Sequence, residues 1–240
     1  MLLAIIVFIS FFTKTVIGFG SNVIIVALAS HFYPIEELLP VIVPLSLFTS
    51  TGIIIRHPHF VDKEILWQRI IPFTFIGVLL GITVLGQLTD SSILKTVFGV
   101  YVLGYASFEL SRNLRKNKPE VSPLPNYAAI IWLLAAGVLQ GIYACGGPLL
   151  VVFANRQFTD KHIFRGTLAS TFLFLVIILL ISYYFTSLLS IETAIRSGLL
   201  LPFLMLGFVL GDWLHFRINQ KHFTIAVLVL LFFAGLFLIV

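Results

Sequence analysis

Gly18, Gly20, Ser21 and Asn22 form a small polar knot inside an apolar stretch that begins at Met1. A second knot, Ala144-Cys145-Gly146-Gly147-Pro148, lies just past the middle of the chain. Glycine has no side chain, so its amide can be approached closely by a ligand. Amides freed where a helical segment starts attract anions, and the helix dipole adds to the attraction. Pro148 is suited to opening such a segment, because a first-turn proline forfeits no hydrogen bond. Lys14 stands four residues before Gly18. Its ammonium is expensive in hydrocarbon unless it faces a cavity or a partner. Gln140 holds roughly the equivalent place before the second knot, polar but neutral. The candidate binding residues are therefore Lys14, Gly18, Gly20, Ser21, Asn22, Gln140, Cys145, Gly146 and Gly147. The chemistry they offer is the holding of a small anion by N–H groups and one cation.

Other chemistries fit less well. Cys145 is the only cysteine, which excludes an intrachain disulfide and a four-thiolate metal site. It reads either as a small buried residue or as a weak donor lining a cavity. His31, His57 and His59 have no metal-ligand spacing, and neither HExxH nor a phosphate-binding loop is present. Enzyme activity, metals and cofactors are not expected. Asp212, beside Trp213 and His215, is a candidate proton carrier or an interface anchor. Arg165 reads as an anchor at the inner surface. The net charge of +5 comes without a basic face or interleaved aromatics, so nucleic acid is not an expected partner.

The elements that position these residues follow from composition. The chain has 240 residues, 59% hydrophobic and 10% charged, with a mean hydropathy of +1.09. A water-soluble domain carries about 25% charge. Lipid is the solvent this composition suits. Eight apolar segments are predicted, near residues 2–28, 38–55, 70–88, 93–110, 127–153, 164–185, 194–213 and 223–240. Most approach the roughly 20 residues a helix needs to cross hydrocarbon. The first and fifth carry the knots, and Pro40 and Pro44 are read as interrupting the second. The N-terminus has no basic region ahead of Lys14 and no clear cleavage site, so it reads as mature protein.

The chain divides into a first membrane repeat (1–110), a cytoplasmic linker (111–125) and a second repeat (126–240). Pro72, Gly77 and Gly81 recur as Pro202, Gly207 and Gly211, at a constant offset of 130 residues. Asp62 and Glu192 share that offset. Interrupted spans at corresponding points of two halves are the sequence mark of a substrate site in a secondary transporter. Eight full spans would scatter basic residues on both faces. If each knotted segment instead returns to the face it entered, the second half is inverted. Arg56, Lys63, Arg69, Arg112, Arg115, Lys116, Lys118, Arg156, Lys161, Arg165, Arg217 and Lys221 then all lie inside, and only Lys95 and Arg196 lie in outside loops. A single long, partly unwound helix is the alternative for each knotted segment.

The ordered set Thr15-Val16-Ile17-Gly18-Phe19-Gly20-Ser21-Asn22 and Gly141-Ile142-Tyr143-Ala144-Cys145-Gly146-Gly147-Pro148, with the paired Pro-x4-Gly-x3-Gly copies, resembles the sulfite exporter TauE/SafE family. The resemblance covers nearly the whole chain. It implies a membrane transporter for sulfur-containing anions, with Gly18, Gly20, Gly146 and Gly147 as signature glycines. Ser21-Asn22 replaces part of a fuller glycine run, and Pro148 follows the second run directly.

The expected protein is all-α and polytopic, with two homologous four-segment halves arranged as an inverted repeat with broken or re-entrant first segments. It is expected in the cell (inner) membrane, moving a small sulfur oxyanion or organosulfonate by alternating access, with protons a candidate coupling ion. A non-transporting membrane partner and an anion channel are the competing readings.

Overall fold

The computed structural model describes residues 1–17, 20–56, 60–87, 91–114, 124–215 and 220–239. These residues are helical apart from short connections. The order is α1 (Leu2–Ile17), α2 (Ser21–Ala29), α3 (Ile35–Arg56), α4 (Lys63–Ile65), a π-helical turn (Leu66–Ile70), α5 (Ile71–Gln87), α6 (Ser91–Leu114), α7 (Asn126–Tyr143), α8 (Gly147–Gln157), α9 (Lys161–Phe185), α10 (Ile191–His215) and α11 (Gln220–Ile239). Among the described residues, seven helical stretches are long and apolar enough to cross a membrane. They are Ile35–Ile55, Lys63–Gln87, Ser92–Leu114, Asn126–Tyr143, His162–Phe185, Ile191–Leu214 and His222–Ile239. Large apolar side chains such as Leu199, Val209 and Phe237 are more than half exposed, as suits a surface bathed in lipid.

Two of these helices depart from the sequence reading. Pro40 and Pro44 do not interrupt the second segment, and α3 runs unbroken through both. Each proline removes one rung of the ladder. Only helical backbone satisfies its remaining groups in an apolar setting, so the helix persists. The third span begins at Lys63, seven residues ahead of the expected start. Asp62 caps it by accepting from the Ile65 N–H at 2.9 Å. Pro72 lacks the N–H that Gln68 would receive in an α-helix, and its ring crowds that carbonyl. The chain widens by one residue instead, and the Ile71 N–H donates to the Leu66 carbonyl, five residues back.

The residues cluster into two compact units. One comprises residues 1–38, 90–120 and 195–240, and the other 39–89 and 121–194. Each unit thus draws helices from both halves of the sequence. In the second unit, α5 and α7 meet through four glycines. A Cβ on Gly77 would lie 2.9 Å from the Gly137 Cα, and one on Gly81 would lie 2.9 Å from the Gly141 Cα. Advancing four residues on α5 advances four on α7, so the two helices run parallel. Small residues at this spacing let membrane helices touch backbone to backbone.

The first unit repeats the arrangement. Gly207 of α10 faces Phe8 and Phe12 of α1, and Gly211 faces Phe12 and Thr15. These helices are also parallel. Gly99 of α6 meets Gly235, Leu238 and Ile239 of α11, whereas Leu103 meets Gly235. Advancing on α6 here retreats on α11, so this pair is antiparallel.

Candidate functional site

The second knot is a tight turn that folds α8 back along α7. The α7 helix ends where Ala144 adopts left-handed geometry (φ 54°), normally a glycine conformation. The Ala144 N–H donates to the Gln140 carbonyl at 2.9 Å, and the Cys145 N–H reaches the Leu139 carbonyl at 3.4 Å. The Gly146 N–H donates to Gln140 Oε1 at 3.0 Å. A Cβ on Gly146 would collide with the Ala136 carbonyl. Further on, Trp132 Nε1 donates to the Leu149 carbonyl at 2.9 Å. Gly146 thus lies beside Ala136, and Leu149 beside Trp132. Forward steps on α8 match backward steps on α7, so the pair is an antiparallel hairpin. At about 1.5 Å per residue, the 11 residues of α8 span roughly 16 Å, half a bilayer core.

Every residue from Gly141 to Pro148 is buried. Irregular backbone in a membrane is tolerated only under such protein cover or beside a water-filled cavity. The α8 helix opens with Gly147 and has Pro148 in its first turn. A Cβ on Gly147 would sit 3.4 Å from the Phe172 ring, an ordinary contact. The two signature glycines therefore differ in role. Close packing requires Gly146, and its amide already serves Gln140. Gly147 is not sterically required, and its N–H belongs to a helix start.

The first knot is described from Gly20 onward. Gly18 lies outside the described residues. Gly20 is left-handed (φ 92°) and precedes the first turn of α2, where nothing within 4 Å would meet a Cβ. Ser21 is buried, and its hydroxyl donates to Asn22 Oδ1 at 3.4 Å. The α2 helix has nine residues, too few to cross, and packs against α1. Lys14 is part-buried on α1, with Nζ 5.5 Å from the centre of the Phe11 ring. The structure thus gathers Gln140, Cys145, Gly146 and Gly147 at one hairpin tip. It places Gly20, Ser21 and Asn22 at the start of α2, with Lys14 on the preceding helix.

Arg165 and Asp212 are exposed near helix ends. Among the described residues, no group of three or more His, Cys, Asp or Glu side chains could hold a metal ion. Sequence reasoning missed Glu109, a buried carboxylate in α6. Arg112 Nη2 lies 3.1 Å from Glu109 Oε1, and Asn113 Nδ2 donates to the same oxygen at 3.3 Å. The signal was an acid near a span end with arginine three positions later, the spacing of neighbours on a helix face.

Seven helices of this length and apolar character among the described residues define a multi-pass membrane protein. The chain belongs to the family described as Sulfite exporter TauE/SafE, whose model matches residues 2–238. No curated protein and no solved structure matches the chain. Family and architecture together give a membrane protein of anion transport, and not an enzyme.

Proposed function

We propose that the chain is a secondary transporter of a small sulfur-containing oxyanion or organosulfonate, working by alternating access in the cell (inner) membrane. The observation that carries this reading is the buried hairpin tip at residues 144–148, where a helix start faces protein rather than lipid. The N–H of Gly147 would hold an anion oxygen there. The first half would offer donors of its own at Gly18, Gly20, Ser21 and Asn22, with Lys14 as a positive charge. Gln140 would shape the second tip through Gly146, with Cys145 beside it. The membrane potential favours anion efflux by about 2.3 kcal/mol per charge per 100 mV.

Two homologous halves, 1–110 and 126–240 joined by 111–125, would form the inverted repeat. Helix directions support it. If successive segments cross in opposite senses and α8 doubles back on α7, α1 and α10 run parallel only when α2 also doubles back on α1. The α6 and α11 helices run antiparallel only when α8 doubles back on α7. Both directions are those described above. The entry to the third span and the start of α9 also meet, as a shared membrane face requires. The Asp62 N–H donates to Thr167 Oγ1 at 3.0 Å, and the Phe60 and His162 rings are 5.0 Å apart.

The test is flux of radiolabelled sulfite, thiosulfate, sulfate and a small sulfonate in proteoliposomes, with and without a pH gradient. Saturable flux of one anion, reduced in Lys14→Ala while the protein stays folded, is the expected result. A response to the pH gradient would identify protons as the coupling ion. Folded protein that moves none of these anions would overturn the proposal.

A further inference from the structure

One side chain closes the space above Gly147. An added Cβ there would lie 3.4 Å from Cζ and 3.6 Å from Cε1 of Phe172. Among the described residues, no other atom outside the local chain comes within 4 Å of it. Gly146, one residue earlier, is walled by the Ala136 carbonyl, which is backbone and cannot turn aside. The Phe172 ring can turn about its side-chain bonds. While it holds this position, the gap between the Gly147 Cα and the ring edge admits about one heavy atom.

Phe172 is also out of step with its surroundings on α9. Leu168, Ala169, Leu175 and Val176, the residues three and four positions before and after it, are all at most 6% exposed. Residues at that spacing share a helix face. Phe172 stands in the middle of this buried face and is nevertheless part-exposed. Protein interiors are close-packed, with few voids as large as a water molecule, so the exposure marks an opening at the ring. The ring thus has the hairpin tip at its Cζ end and an opening beside it.

We propose that the Phe172 ring sets the size limit of the transported anion, admitting a sulfur oxyanion and excluding long organic substituents, an inference that rests on the transport reading above. An anion held by the Gly147 N–H would lie next to the gap under the ring, which has room for an oxygen and not for a chain of carbons. The ring meets the gap with its edge, the positive part of the aromatic quadrupole, and so favours a negative oxygen there. A longer substituent on the sulfur must displace the ring. The site therefore takes sulfite and the shortest sulfonates, and entry becomes costlier as the carbon chain grows.

The experiment measures efflux of sulfite, methanesulfonate, ethanesulfonate and butanesulfonate from proteoliposomes carrying wild type, Phe172→Leu or Phe172→Ala. Each protein is compared with itself, through the ratio of kcat/KM for butanesulfonate to that for sulfite, so a general loss of folded protein cancels. Wild type is expected to prefer sulfite and to lose rate as the chain lengthens. Phe172→Ala should raise the ratio about tenfold or more, the discrimination that a single methylene gives in an apolar pocket. Phe172→Leu should raise it less, and decides the matter if the alanine variant does not fold. An unchanged ratio in the folded variants would overturn the inference and leave the transport reading standing. So would wild type that carries butanesulfonate as well as it carries sulfite. Wild type that moves no sulfur anion would remove the transport reading, and the inference with it.

Discussion

Alanine at Gly137 tests the parallel α5–α7 contact. In a helix interior alanine is favoured over glycine by about 1 kcal/mol, so a glycine with open space should gain stability on replacement. Gly104 in α6 is such a site, with nothing within 4 Å of an added Cβ. Gly137 is the opposite case. Its added Cβ would run into the Thr74 carbonyl and lie 2.9 Å from the Gly77 Cα. Carbon atoms prefer about 3.5–4.0 Å, so the helices must separate by roughly 0.6–1 Å. Both obstacles are backbone and cannot rotate away. Overpacking of this kind costs about 1–3 kcal/mol. The propensity gain and this cost oppose each other at Gly137, whereas only the gain acts at Gly104. The two variants should therefore differ by about 1–3 kcal/mol, with Gly104→Ala the more stable. Reversible unfolding in mixed micelles measures the difference. Gly77→Ala combined with Gly137→Ala should cost less than the sum, because the first alanine has already parted the backbones. Equal responses at Gly104 and Gly137, or strict additivity of the pair, would refute the contact.

Other predictions concern the hairpin and its neighbours. Gln140→Leu leaves the Gly146 N–H buried without its acceptor, at a cost of about 1–3 kcal/mol. The single cysteine reports the result, because buried Cys145 should react with a maleimide faster in the variant than in wild type. Gly146→Ala should lower the melting temperature through its clash with the Ala136 carbonyl. Gly147→Ala, which meets only ordinary contacts, should fold like wild type and lose flux. Asp160 caps α9, and its carboxylate is held below its ordinary pKa by the Ile163 and His162 N–H groups. A depressed folded pKa stabilises above the unfolded value near 3.8 and is lost as pH falls through the folded value. Asp160→Ala should therefore melt below wild type at neutral pH, with the gap closing in acid.

Much of the fold was legible because lipid imposes long apolar runs, and those runs set the number and length of the helices. The two knots were legible because glycine and proline interrupt such runs for few reasons. The Pro-x4-Gly-x3-Gly copies marked the surfaces where α5 and α10 meet their partners. The fate of each knot glycine was not readable. Gly146 and Gly147 are adjacent and identical in type. Only the position of Ala136 separates a packing role from an open amide. The prolines of α3 misled for a related reason. Their cost is local, and the penalty for ending a helix inside hydrocarbon is larger.

Single cysteines at Lys63, Thr159 and Ser187, in a Cys145→Ala background, give the most direct test of the inverted, hairpin-led architecture. An impermeant thiol reagent is applied to intact and permeabilised cells. The account predicts that positions 63 and 159 share the inner face and are labelled only after permeabilisation, whereas position 187 is labelled from outside. Positions 63 and 159 on opposite faces would contradict it, because α7 and α8 would then cross the membrane as one span.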